Sequence, residues 1–306
     1  MKMTREEITA RLRGVFTPVV TPFNRQGTVE EGLLRANLMR YVGIGLSGIV
    51  VAGSTGEAPF LTERERLRLV ELAREVVRPP ELLIAGTGLE STRATLRLSR
   101  EAIARGADAL LVLPPTYYKP LMDADTLAAH YRAVASGVSR PVIVYSIPQF
   151  TGLHMAPETI GRLSRLPNVV GLKESSGNIA FVRAVLRRVR PGFRVLVGSV
   201  LILYEALRAG VTGAILAQAN FAPELCVGLY EAFLRRQAKA ARKFQQRLVP
   251  LAQKIAIPYG VPGIKAALEY CGYAGGLPRP PLRLLGAAAR RAVAAAIEEA
   301  RAGLEF

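Results

Sequence analysis

A chain of 306 residues, half of them hydrophobic, can bury a large core, and an α/β barrel of about 250 residues would fit within it as one unit. Its two cysteines, Cys226 and Cys271, are too few for a disulfide framework or a zinc cluster, no apolar run reaches the ~18 residues of a membrane helix, and the opening MKMTREEITARLRG is charged rather than signal-like. The net charge of +17 invites a nucleic-acid reading, but the arginines are scattered over helical runs without a basic tail or an aromatic-interleaved basic motif.

Taken in order, the pattern is strand then helix, repeated. Residues 14–21 form a β-rich run, followed by a helix over 28–43. Residues 48–52 lead into a helix from Thr62, where Thr62-Glu63-Arg64-Glu65 is a capping box. Residues 82–86 precede a helix capped by Ser91 and ending near Gly106. Next come a strand over 109–113 and a helix over 123–136. A strand over 142–145 leads to a helix from Pro157, and one over 169–173 to a helix over 179–190. The strand at 194–198 precedes a helix over 201–209, and the strand at 213–217 a helix over 223–236. Eight even units without a long insertion predict a closed (β/α)8, or TIM, barrel over 1–236; an open doubly wound sheet is the alternative. Beyond it, 237–306 reads as a helical appendage, broken by Pro258, Pro262 and the loop 272–281, with an amphipathic Ala-rich helix over 287–300. Arg64, Arg66, Arg68 and Arg74, beside Glu63, Glu65, Glu71 and Glu75, read as a solvated helix face. A cytoplasmic enzyme without a nucleic-acid or membrane partner is the expectation, its positive field drawing in anionic substrates.

In a barrel the chemistry sits where the carboxyl ends of the strands converge. The run Val169-Val170-Gly171-Leu172 is uncharged and ends in Lys173. An amine walled by apolar groups is poorly hydrated when charged, and a neutral amine is what attack on a carbonyl requires. The chain has seven lysines against 34 arginines, so rivals are few. Lys2 lies in the leading segment, Lys239, Lys243 and Lys254 in a polar helical run, and Lys265 in a later helix. Lys119, in the loop after Pro114-Pro115, is the serious competitor, and an ion pair with Glu174 is the alternative role for Lys173. Gly53-Ser54-Thr55-Gly56-Glu57 reads either as a cradle for an anion or as an ordinary strand-to-helix turn. Tyr145, in Tyr145-Ser146-Ile147-Pro148, is either a proton shuttle or a core aromatic.

Metal chemistry is disfavoured, since His130 lies on a helix, His154 in a loop, and no cluster has ligand spacing. Gly86-Thr87-Gly88 lacks the third glycine of a dinucleotide fingerprint, and residues 198–200 and 217–220 give little support for a phosphate site. The reading is a lysine enzyme acting on carbonyls with no cofactor and no metal.

These residues resemble a family. Gly53-Ser54-Thr55-Gly56-Glu57, Tyr117-Tyr118, Tyr145-Ser146-Ile147-Pro148 and Gly171-Leu172-Lys173-Glu174-Ser175 look like the dihydrodipicolinate synthase/N-acetylneuraminate lyase family, pyruvate-dependent class I aldolases on a barrel with a helical tail. The resemblance runs from Thr17-Pro18 to about Pro281. It implies that Lys173 forms a Schiff base with a 2-oxo acid such as pyruvate, that Tyr145 shuttles protons, and that Ser54 and Thr55 hold the carboxylate. It further implies that Ser54 links Tyr145 to Tyr118, which in this family reaches into a neighbouring subunit, so a homotetramer built as a dimer of dimers is expected. The backbone at Gly198 and Ile215 would line the pocket.

One departure bears on the substrate. Dihydrodipicolinate synthases carry an arginine after the tyrosine that grips a substrate carboxylate, whereas this chain has Phe150, and a neutral ring cannot replace a bidentate charged contact. Within the family, residues 53–61 (GSTGEAPFL), 145–152 and 260–265, with 272–282 (GYAGGLPRPPL), look most like 4-hydroxy-2-oxoglutarate aldolase, where Ser175 would help hold the substrate. The expected activity is cleavage of 4-hydroxy-2-oxoglutarate or a related hydroxylated 2-oxo acid to pyruvate or glyoxylate plus a partner. The alternatives are 4-hydroxy-tetrahydrodipicolinate synthesis, a 2-keto-3-deoxy sugar acid aldolase, or a non-catalytic 2-oxo acid sensor.

Overall fold

A computed structural model describes residues 3–303, so Lys2 falls outside the described residues. Eight parallel strands pair in chain order and close on themselves: β1 (Gly14–Pro18), β2 (Gly48–Val51), β3 (Leu82–Gly86), β4 (Ala109–Val112), β5 (Val142–Ser146), β6 (Val169–Glu174), β7 (Arg194–Val197) and β8 (Gly213–Ile215). The chain is a (β/α)8 barrel with carboxyl-terminal helices. Its helices are α1 (Arg5–Arg11), α2 (Glu31–Tyr41), α3 (Glu63–Val76), α4 (Thr92–Ala104), α5 (Ala124–Ser136), α6 (Pro148–Thr151), α7 (Pro157–Leu163), α8 (Ile179–Leu186), α9 (Leu203–Ala209), α10 (Pro223–Leu234), α11 (Ala238–Leu251), α12 (Ile257–Tyr270) and α13 (Ala287–Arg301).

The short apolar runs are strands because both faces are covered, as parallel sheets require. One set of side chains, including Phe16, Val50, Ile84, Leu111, Ile143, Leu196 and Ile215, fills the barrel interior, while the other packs under the helices. Two short helices are not marked by the sequence pattern. Charged α1 plugs the bottom of the barrel with Ile8 and continues into Leu12, both fully buried in the interior cluster. The single turn α6 follows β5 and carries Phe150. Several elements are shorter than their sequence patterns. The first strand ends at Pro18, the helix of 28–43 spans Glu31–Tyr41, and that of 179–190 ends at Leu186. The capping box at Thr62 and the Ser91 cap are both formed.

The solvated-face reading of α3 needs correction at Arg66. That side chain is buried and donates to the carbonyls of Ala58 (2.7 Å) and Gly88 (3.2 Å), tying two loops at the top of the barrel. Its neighbours do form surface ion pairs, such as Arg68–Glu31 and Arg97–Glu63.

Beyond the barrel, α11 runs through a π-helical turn (Ala252–Ala256) into α12, whose axis breaks at Gly260 (φ 54°). Pro262 lacks an N–H and cannot continue a helical ladder, and glycine is the residue that accepts the left-handed backbone of the kink. The segment after α12 folds back onto the barrel. Asn37 exchanges two hydrogen bonds with the Ala274 backbone (2.7 and 2.8 Å), and the Leu277 N–H donates to the Phe23 carbonyl (2.8 Å).

Candidate active site

Lys173 is positioned by an irregularity in its own strand. Pairing between β5 and β6 runs Val142 to Val169 and then Ile143 to Gly171, leaving Val170 as an extra residue. A bulge of this kind resets the in–out alternation and re-aims the side chains beyond it. Leu172 then packs outward under the helices and Lys173 faces in, directly opposite Tyr145. Its side-chain nitrogen lies 4.3 Å from the Tyr145 ring centroid, and the residue is 4 % exposed.

The Tyr145 hydroxyl is 3.3 Å from Ser54 Oγ, so the strand-five tyrosine and the strand-two loop meet above the lysine. The loop is closed by its own backbone: the Glu57 N–H donates to Ser54 O (3.1 Å) and the Ala58 N–H to Gly53 O (3.2 Å). Thr21 Oγ1 donates to Gly56 O (2.7 Å). Ser54 and Thr55 are half-buried at its tip. On the other side, Gly198, the residue after β7, approaches so closely that a Cβ there would stand 1.9 Å from Ser175 Oγ and 3.2 Å from Lys173 Cε. Ser175 Oγ is buried with no hydrogen-bond partner, and Ile215 is buried in the interior cluster that holds Tyr145.

The pairing of Lys173 with Glu174 does not form. Glu174 faces away from the interior, accepts the Ser176 N–H (2.7 Å), and lines a separate cavity of about 340 Å³ with Ser146 and His154. Burial pushes its carboxyl above the usual carboxylate range, against the pull of Ser176. Among the described residues no carboxylate pairs with Lys173. The rival Lys119 is exposed, its amine beside Gly152 at the rim.

Tyr118 is 66 % exposed and touches Tyr117 edge-on (5.0 Å between centroids), without a bond to Ser54 in the same chain. Its loop is held by Glu90, which accepts from the Thr116 N–H and hydroxyl and from the Tyr117 N–H at 2.8–2.9 Å. Phe150 is 71 % exposed on α6. Among the described residues no group of three or more His, Cys, Asp or Glu side chains is placed to hold a metal ion, and no helix is long and apolar enough to cross a membrane. His130 is pushed down to about 4 by burial and bonds Thr92 on an outer helix (2.9 Å).

A family model, the dihydrodipicolinate synthetase family, matches residues 11–300. The chain belongs to this family. Its members are class I aldolases, carbon–carbon lyases, and the chain is an enzyme of that kind. Among similar curated proteins, the 4-hydroxy-tetrahydrodipicolinate synthase of Archaeoglobus fulgidus is 37% identical over 270 residues, covering 88% of this chain and 91% of that one. The Syntrophus aciditrophicus protein of the same name is 36% identical over 260 residues, covering 85% and 88%. Among solved structures, YagE, a prophage protein of the family from E. coli in complex with pyruvate, matches with a TM-score of 0.89 at 28% identity, covering 94% of this chain and 98% of that one. The 4-hydroxy-tetrahydrodipicolinate synthase of Methylacidiphilum fumariolicum matches with a TM-score of 0.88 at 29% identity, covering 94% and 96%.

Proposed function

We propose that this lyase works through a Schiff base between Lys173 and a 2-oxo acid such as pyruvate. The observation that carries the reading is a buried amine, unpaired with any carboxylate among the described residues, held 4.3 Å from the ring of a tyrosine whose hydroxyl meets Ser54. The neutral amine attacks the keto carbon, and loss of water leaves an iminium. Tyr145 carries protons to and from the carbinolamine oxygen, relayed through Ser54. Ser54 and Thr55 hold the 2-oxo acid's carboxylate, while Gly198 and Ile215 present backbone beside the lysine. In the cleavage direction the C4 hydroxyl gives up its proton to Tyr145, which has just delivered one to the departing water, and the C3–C4 pair flows into the iminium. The released aldehyde leaves an enamine, which is protonated at C3 and hydrolysed to the 2-oxo acid. In synthesis the enamine attacks an aldehyde instead. Tyr118, exposed and anchored only through its loop, projects into the site of a second copy, giving a homotetramer built as a dimer of dimers. Two free thiols, at Cys226 and Cys271, fit a cytoplasmic enzyme.

The aldehyde partner has two readings. The curated relatives are named 4-hydroxy-tetrahydrodipicolinate synthase, which favours condensation of pyruvate with aspartate semialdehyde. Phe150 favours cleavage of 4-hydroxy-2-oxoglutarate or a related hydroxylated 2-oxo acid, because the semialdehyde's amino-acid end would meet a ring rather than a guanidinium. A charge-assisted hydrogen bond contributes roughly 1.5–3 kcal/mol, so its loss should lower kcat/KM by about 10- to 100-fold. Side-by-side kcat/KM values on the two substrates, for wild type and Phe150→Arg, decide between them. The hydroxyoxoglutarate reading expects preference for that substrate and a gain in condensation on Phe150→Arg. A clear wild-type preference for aspartate semialdehyde assigns synthesis.

A further inference from the structure

A second buried lysine lies outside the lysine–tyrosine centre. Lys265, on α12, is fully buried, and its ammonium lies 2.6 Å from Glu57 Oε1 and donates to the carbonyls of Thr21 (2.7 Å) and Leu277 (2.6 Å). The Phe23 ring centroid is 4.7 Å away. Glu57 is the last residue of the loop that carries Ser54 and Thr55, and it sits in the left-handed region (φ 59°), which a non-glycine residue adopts only when its surroundings hold it there. Its other oxygen accepts the Arg279 N–H (2.8 Å), and the Arg279 guanidinium is in turn held by Glu65. The loop is therefore fastened from behind by two groups of the carboxyl-terminal region, one on α12 and one in the segment after it.

We infer that Lys265 is a positioning residue for the reaction: through Glu57 it holds the 53–57 loop so that Ser54 meets Tyr145 and, with Thr55, is aimed at the substrate carboxylate. The carboxyl-terminal helices thus set the geometry of a binding loop in the barrel rather than only covering its side. Removing one partner of a buried ion pair strands the other charge, whereas replacing both with neutral groups of similar shape is tolerated. The variant of choice is therefore Glu57→Gln with Lys265→Met, which roughly keeps the volume and removes both charges, leaving the Thr21 and Leu277 carbonyls without the lysine donor.

The assignment of carboxylate binding to Ser54 and Thr55 rests on the proposed function, so the test has two arms. In the first, borohydride trapping with pyruvate gives the concentration for half-maximal labelling. The double variant should need at least 10-fold more pyruvate than wild type, while Lys254→Met, which breaks the exposed pair with Glu299 in the same region, should need the same amount as wild type. A scaffold role alone would lower the melting temperature and the labelled fraction without moving the half-saturating concentration, and that result overturns the inference. In the second arm, crystal structures of wild type and the double variant are compared without any substrate. The inference predicts that the 53–57 loop shifts and the Ser54–Tyr145 contact opens, and an unchanged loop overturns it. If pyruvate fails to label wild type while the loop shifts, the positioning role stands and the pyruvate reading falls.

Discussion

Gly198→Ala probes how tightly the site is built. The new Cβ would stand 1.9 Å from Ser175 Oγ, 2.9 Å from Ser175 Cβ and 3.2 Å from Lys173 Cε. The first two distances are too short for any real contact, and the backbone of neither strand end is free to retreat, since the Gly198 N–H is bonded to Glu174 O (2.6 Å). Relief must come from Ser175 and Lys173 moving. Overpacking of this kind costs about 1–3 kcal/mol. Where the strain falls on the lysine's approach to the carbonyl, that is roughly a 5- to 150-fold loss in kcat/KM. The companion Ser175→Ala removes the 1.9 Å clash and leaves the 2.9 Å one, so the double variant should recover part of the loss and not all of it. Steady-state kinetics with thermal denaturation on all four proteins form the cycle. A Gly198→Ala enzyme with wild-type kcat/KM, or losses that add without recovery, would refute the packing argument.

Tyr145→Phe should lower kcat on the order of 10²- to 10⁴-fold, the usual worth of a positioned acid–base group, with much less change in pyruvate affinity. Near-normal kcat would make Tyr145 a core aromatic only. The Glu65 carboxyl is lowered to about 2, first by the Arg279 hydrogen bond and against burial, and also by Thr62. Its folded value lies below the unfolded one, so its stabilisation is present above about pH 4.5 and is lost as pH falls toward 2. Melting temperatures of wild type and Glu65→Gln should therefore converge between about pH 5 and about pH 2.5, and a gap that stays constant would show that Glu65 acts through packing alone.

The barrel was legible because its signals are local and repeated: short apolar runs, caps at Thr62 and Ser91, and glycine breaks between them. Lys173 and Tyr145 stood out because a polar group at the end of an apolar strand is unusual, and the closed barrel brings their strands side by side. What the pattern could not carry is contact between distant segments. Lys265 lies in the run Gly263-Ile264-Lys265-Ala266-Ala267-Leu268, otherwise uncharged, a setting like that of Lys173, but helical periodicity does not say which distant segment a helix faces. Its partner Glu57 lies far away in the sequence, in the loop after the second strand, so only folding shows that they meet. The buried role of Arg66 was hidden likewise, because a charged residue amid glutamates reads as solvated until its loop carbonyls are located. Charged α1 hid the barrel-plugging Ile8 behind the composition of its outer face.

The most direct measurement is the site of covalent capture. The enzyme, incubated with pyruvate and reduced with borohydride, is digested and its peptides mapped by mass spectrometry. A single adduct on Lys173 is expected, with Lys119 and Lys265 unmodified. An adduct on either of those lysines, or none in a sample that turns over substrate, would contradict the Schiff base at Lys173.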